Sequence, residues 1–187
     1  MRFRQLSRFV SSHAMSLKRP AEPASPPTPA KRIKAEVPLV LHWFRSDLRL
    51  DDNSSLARAS SRAAELGGNL LTLYVVSPGE WIRHEIAPVR VDFWMRALNG
   101  LKGELDKLGI PLIVARAEML KDVPGVVAGI VKDLGVSELA FNIEYEVNER
   151  ARDAKTRTLV EAEQVKCWEI YDQCIVPPGQ VKTKVGL

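Results

Sequence analysis

The sequence predicts an alternating α/β fold: a five-stranded parallel sheet of order 3-2-1-4-5 with helices on both faces. Three observations carry this reading. Short apolar runs alternate with segments of helical periodicity. The runs are continuous rather than two-periodic, as strands buried on both faces require. Glycines close three of the helical segments, at Gly67-Gly68, Gly109 and Gly135.

The elements follow in order. "PLVLHWF", residues 38–44, is a buried strand entered from a proline. Asp51 and Asp52 offer N-caps to the helix "NSSLARASSRAAEL". "NLLTLYVVS", 69–77, is the second strand, and a loop carrying Glu80, Trp81 and His84 follows. Across 89–108, Val91, Trp94, Met95, Leu98, Leu101, Leu105 and Leu108 recur at helical spacing. "IPLIVAR", 110–116, is the third strand, and "VPGVVAGIVKDL" the third helix. "SELAFNIEY", 137–145, is the fourth strand, "NERARDAKTRTLVEAE" the fourth helix and "QVKCWEIY" the fifth strand. Strand–helix–strand repeats of this kind wind right-handed into a Rossmann-like sheet. The tryptophans Trp43, Trp81, Trp94 and Trp168 are expected mostly in the core.

Such sheets bind ligands beyond the carboxyl ends of their strands, where the strand order reverses. With order 3-2-1-4-5, strands one and four flank that point. Their carboxyl ends are "RSDLRLDDN" and "YEVNERARD". A dense cluster of charge and amide therefore lies where this architecture puts a site.

Much familiar chemistry is absent from the sequence. No G-x-G-x-x-G follows the first strand, and there is no P-loop and no G-x-S-x-G elbow. His13, His42 and His84 are scattered, so no metal or acid–base trio is expected and no catalytic residue is assigned. Cys167 and Cys174 form neither a disulfide framework nor a zinc pattern and read as two part-buried thiols. No apolar run approaches the ~20 residues of a membrane-spanning helix.

Charge is unevenly placed. The chain of 187 residues has a formal charge of +4. Residues 1–36 hold eight Lys/Arg and two acids, so the tail carries the excess and the remainder is slightly acidic. Residues 1–19 contain arginine and serine but no acid, the composition of a mitochondrial presequence or of a plain basic tail. Lys18-Arg19 and Lys31-Arg32-Ile33-Lys34 flank an eleven-residue spacer rich in Pro and Ala, the pattern of a bipartite nuclear import signal. The expected organisation is a disordered targeting tail at 1–36, an α/β domain at 37–181 and the start of a linker at 182–187.

Four stretches carry a resemblance to a known family: "WFRSDLRLDDNSSL" (43–56), "SPGEWIRHEIAPVRVDFW" (77–94), "YEVNERARDAK" (145–155) and "IVPPGQV" (175–181). In this order they resemble the N-terminal α/β antenna domain of the DNA photolyase/cryptochrome family, with "YEVNERARD" most similar to the folate-type cyclobutane-dimer photolyases. The resemblance implies a light-driven repair enzyme. Its reduced FAD donates an electron to a pyrimidine dimer in UV-damaged DNA, and an antenna chromophore feeds that flavin. It implies that flavin and DNA are held by a helical domain that does not appear in this sequence, so that this chain alone should be inactive. Hard chemistry of this kind resides in the cofactor, which explains the missing acid, base and nucleophile.

By the same resemblance, Asn148 and Glu149 contact the pterin of methenyltetrahydrofolate in a partial site. An amide both donates and accepts, and a carboxylate accepts two N–H bonds, so the pair suits an aminopyrimidine edge. A structural reading stands beside it. Asn148 is a good N-cap for the fourth helix, and Glu149 complements that helix's positive end. Arg150, Arg152, Asp153, Lys155 and Arg157 then form a solvated or interdomain face. Arg45, Asp47 and Arg49 are expected to make an ion-pair network that fixes the loop after strand one. A monomer is expected, in the nucleus and possibly also the mitochondrion, with no membrane partner. The alternatives are a cryptochrome-type blue-light receptor and a stand-alone nucleotide-binding module.

Overall fold

The computed structural model describes residues 37–181. The predicted tail with its two targeting signals, and the predicted linker at 182–187, lie outside the described residues. The five strands are β1 (Leu39–Phe44), β2 (Asn69–Val76), β3 (Leu112–Arg116), β4 (Glu138–Asn142) and β5 (Lys166–Ile170). They pair in parallel in the order β3-β2-β1-β4-β5, as the sequence predicts. Several are shorter than the apolar runs that announce them. β4 stops at Asn142 because its neighbour β5 ends at Ile170, whose carbonyl takes a last bond from the Ile143 N–H at 2.8 Å.

The helices are α1 (Ser54–Glu65), α2 (Pro78–Arg83), α3 (Pro88–Lys107), α4 (Val123–Asp133) and α5 (Val147–Ala162). A 3₁₀ turn at Leu120–Asp122 precedes α4. The short α2 replaces the loop expected around Glu80, Trp81 and His84. Pro78 starts it, since a missing N–H costs nothing in a first turn. The Glu80 carboxylate accepts from Leu120 N at 3.0 Å and lies 3.0 Å from His84 Nε2, which ties α2 to the 3₁₀ turn.

Strand alternation divides the core into two. Leu41, Trp43, Leu139 and Phe141 point to one face, where Val127 and Val131 of α4 and Val160 of α5 cover them. Val40 and Ala140 point to the other, against Ala59 and Ala63 of α1. Phe44 packs there with Leu56 of α1 and with Leu101 and Leu105 of α3. The chain winds first over one face and then, after the edge strand β3, over the other. The reversal falls between β1 and β4.

Two caps differ from the sequence-based expectation. Asn53, rather than Asp51 or Asp52, caps α1 by accepting from Leu56 N at 3.1 Å. Asp52 has φ +50, which turns the chain sharply just before the cap. Helix α5 begins at Val147, with Glu146 at the N-cap position and no side-chain cap bond. Asn148 is therefore the second residue inside the helix and is not the cap.

Of the tryptophans only Trp43 is fully buried; Trp81, Trp94 and Trp168 are half-buried. Trp168 lies on the edge strand, where Arg58 and Lys166 stand 4.1 and 3.7 Å from its ring and its indole N–H donates to Glu138 at 2.6 Å. Cys167 is half-buried, and desolvation first, then Glu161 and Glu169, push its thiol up to about 12. Cys174 is exposed, against the expectation of two part-buried thiols. Helix α3 buries nothing before Leu98, so its first half leaves Val89 and Phe93 exposed, as Ile82 of α2 is.

The turn from α1 into β2 needs two glycines for two different reasons. Gly67 has φ +61, which an L side chain rarely adopts. A Cβ on Gly68 would lie 2.2 Å from the Pro38 carbonyl oxygen, which the Asn69 N–H needs as acceptor. Gly67→Ala should lower unfolding free energy by about 1 kcal/mol. Gly68→Ala should cost more than Gly67→Ala, because backbone must move. Urea denaturation of the two variants checks the ranking, and equal midpoints would contradict it.

Candidate functional site

The carboxyl ends of β1 and β4 are adjacent, and their connections leave toward opposite faces. Polar side chains from both strands and from α1 and α5 converge in the gap. Arg45, Asn53, Ser55, Asn142, Glu144, Arg152 and Asp153 are all buried there, as is His42 within β1.

On the α5 side the cluster is ionic. Arg45 Nη1 donates to Asp153 Oδ2 at 2.8 Å. Arg152 Nη2 donates to Glu144 Oε2 and to Asp153 Oδ1, each at 2.7 Å. Ser46 binds the other Glu144 oxygen through its hydroxyl and, at 3.3 Å, through its N–H. Trp43 and Phe141 provide an aromatic floor: the Arg45 guanidinium carbon lies 5.0 and 4.7 Å from their ring centroids, and that of Arg152 lies 5.1 Å from Trp43. Among the described residues the Arg45 Nε and Nη2 atoms have no hydrogen-bond acceptor, although Nε lies 3.9 Å from Glu144 Oε2, so the ring contact carries part of their environment.

Burial disfavours every charge in the cluster, and mutual pairing decides the outcome. Desolvation pulls Arg45 below the ordinary arginine value despite Asp153 and Glu144. For Glu144, burial opposes ionisation, but Arg45, Arg152 and the Ser46 bond outweigh it and hold the carboxyl below its ordinary value. Burial opposes Arg152 likewise, and Asp153 and Glu144 reverse it, raising its value.

On the α1 side the cluster is mostly amide and hydroxyl. Asn142 donates to Asp47 at 2.6 Å and to Asn53 at 2.9 Å, and accepts from Ser55 N at 3.1 Å. One β4 side chain thus holds the amino end of α1. Asp47 also takes the Arg45 N–H at 2.9 Å, which joins the two halves. His42 Nδ1 lies 3.0 Å from Ser55 Oγ, and its Nε2 has no partner.

Sequence-predicted residues divide accordingly. Arg45, Asp47 and Arg49 do fix the loop after β1, but the ion pairs of the two arginines run to distant carboxylates, while Asp47 holds the Arg45 and Arg49 N–H groups within the loop. Arg49 pairs with Asp172, which also accepts from Ser54 N at 3.1 Å. Arg152 and Asp153 are buried, which corrects their reading as a solvated face; Arg150 and Lys155 remain exposed. Asn148 and Glu149 lie in the first turn of α5, exposed and half-buried respectively, and neither side chain bonds another described residue. Glu149 is the acidic residue of that turn, as the helix dipole favours. Sequence reasoning missed Glu144, Asn142, Asn53 and Asp172. A usable signal existed in α5, where Arg152, Asp153, Thr156 and Val160 share the helical spacing of a buried stripe.

A model of the DNA photolyase family matches residues 40–186. The chain belongs to the DNA photolyase family. The deoxyribodipyrimidine photo-lyase of Neurospora crassa is 43% identical over 151 residues, covering 79% of this chain and 25% of that protein. The Escherichia coli enzyme is 36% identical, covering 76% and 29%. A Saccharomyces cerevisiae relative described as mitochondrial is 32% identical, covering 80% and 29%. Among solved structures, a Sulfolobus tokodaii photolyase with two FAD molecules superposes with TM-score 0.67 at 24% identity, covering 78% of this chain and 32% of that one. The chain thus spans between a quarter and a third of the length of these photolyase relatives.

Two measurements test the site's electrostatics. Asp153→Ala leaves Arg45 buried without its close carboxylate and should cost about 3–5 kcal/mol of unfolding free energy in urea; a loss below about 1 kcal/mol would mean that the pairing is dispensable. Desolvation first, with Asp47 opposing and Arg45 adding, lowers His42 from 6.5 to about 4. The unfolded chain therefore takes up this proton before the folded one. Stability from this group is complete above pH ~6.5, and roughly 3 kcal/mol is lost as pH falls to ~4. Below that, the depressed Glu144 adds a further loss as it protonates. Urea midpoints from pH 7 to 4 should show the first decline, and His42→Gln should flatten it.

Proposed function

We propose that this chain is the antenna domain of a light-driven enzyme that splits cyclobutane pyrimidine dimers. The observation that carries the reading is the open Asn148–Glu149 edge on a photolyase-family fold. Its amide and carboxylate have no partner among the described residues, although the neighbouring Arg152 and Asp153 are fully engaged. A free donor–acceptor pair beside a free carboxylate fits the edge of a pterin. Asn148 and Glu149 would hold methenyltetrahydrofolate, whose conjugated ring absorbs light and passes excitation onward. FAD and the damaged DNA are assigned to the remaining length of a complete photolyase.

The basic clusters at 18–19 and 31–34 support delivery to the nucleus, and the yeast relative described as mitochondrial supports the second destination. A cryptochrome-type receptor is the second reading, since a Synechocystis cryptochrome shares this fold with TM-score 0.63 at 23% identity.

The test is made in a complete photolyase carrying this domain. Glu149→Ala should weaken methenyltetrahydrofolate binding roughly ten- to hundredfold, the worth of one charged hydrogen bond. Dimer splitting under direct flavin excitation should be unchanged. An equal fall in both would make Glu149 structural, and light-dependent signalling without dimer splitting would favour the receptor. Fluorescent fusions of residues 1–36, with Lys31, Arg32 and Lys34 replaced by Ala, should lose nuclear accumulation.

A further inference from the structure

The first turn of α5 has no anchor of its own. Its N-cap residue makes no side-chain cap bond, and no residue from Val147 to Ala151 is buried. Val147 is 84% exposed, so the first helical residue adds no apolar contact, and of the apolar residues from 145 to 151 only Tyr145, before the cap, is half-buried. The buried residues stand on either side of this turn, Glu144 before it and Arg152 with Asp153 after it. Arg152 Nη2 reaches back across eight positions to Glu144 Oε2 at 2.7 Å. That bond closes a loop around residues 145–151, with Asn148 and Glu149 inside it. The loop is referenced to the sheet by Arg45 on Asp153 at 2.8 Å and by Ser46 on Glu144.

We propose that Glu144 and Arg152 form a clamp that positions Asn148 and Glu149, so that the clamp sets the geometry of the ligand-binding edge. The proposal rests on the antenna reading of those two residues. An ion pair in this environment is a poor device for stability alone, because burying both charges cancels much of their attraction. It is a good device for geometry, since the guanidinium and carboxylate bond in few orientations. Exposed turns without local anchors open readily, and an edge that must meet a rigid planar ligand loses affinity when it does. Glu144 and Arg152 are positioning residues here, and Asn148 and Glu149 are the contacts.

The experiment uses a complete photolyase carrying this domain and two readouts. Amide hydrogen exchange is followed across residues 145–151 and across β1 and β4, and binding is followed by titration with methenyltetrahydrofolate. Arg152→Met, which keeps length and loses charge, should raise exchange in 145–151 about tenfold or more with β1 and β4 still protected. It should weaken folate binding about tenfold. Arg152→Lys should recover part of both, and Glu149→Ala should weaken binding without changing exchange. Should Arg152→Met fail to fold, Glu144→Gln is read in the same way. Wild-type exchange in 145–151 for the folded clamp variant overturns the clamp, whatever the folate result. If Glu149→Ala weakens binding while that exchange is unchanged, the antenna edge stands and the clamp falls. If exchange rises but neither Glu149→Ala nor the clamp variant alters binding, the antenna reading fails, and the positioning role falls with it.

Discussion

Ionised side chains cannot be left unpaired away from water, and this fold collects four of them at one point. Between β1 and β4 the connections part to opposite faces, so no helix seals the strand ends. The gap is closed by side chains instead. On the α5 side two arginines balance two carboxylates, and an aromatic floor supports the guanidinium groups. The four charges come from positions scattered between 45 and 153, so the ionic closure forms only when β1, β4 and α5 have all assembled.

The closure has two chemically distinct halves, and strand alternation creates them. Arg45 continues the face of Leu41 and Trp43, and so meets α5. His42 and Asn142 point to the opposite face, and so meet α1. The α5 half is held by charge and the α1 half by amides and hydroxyls. Asn142 satisfies a cap, a helix N–H and a carboxylate at once, which leaves the amino end of α1 little freedom. Asp47 belongs to both halves through the Arg45 N–H and the Asn142 amide. The loop after β1 is thereby defined from two directions.

Much of this was legible in the sequence because it rests on local rules. Continuous apolar runs between helical periods specify parallel strands, and the point of reversal follows from their order. "YEVNERARD" and "RSDLRLDDN" were recognisable by position alone as the segments that meet at the point of reversal. The internal wiring was not, because it depends on pairings that sequence does not display. Arg152 and Asp153 sit in a helix where charged residues crowd every turn, and by composition they read as solvent-facing. Their burial is offset by Arg45, 108 positions away from Asp153, and by Glu144 on Arg152. Asn148 looked like a cap because amides favour that position, but the chain enters the helix earlier, at Val147, and leaves the amide free. The short helix at Pro78 escaped notice because six residues are too few to display a period.

Ionic strength acts on this protein in two ways that the fold keeps apart. Exposed pairs such as Arg96–Asp92 and Lys102–Asp106 lie in water, where mobile ions screen charge over about 8 Å at physiological salt. The pairs among Arg45, Glu144, Arg152 and Asp153 exclude those ions and are screened far less. Salt therefore loosens the decoration of α3 while the ionic closure at the ends of β1 and β4 keeps its setting.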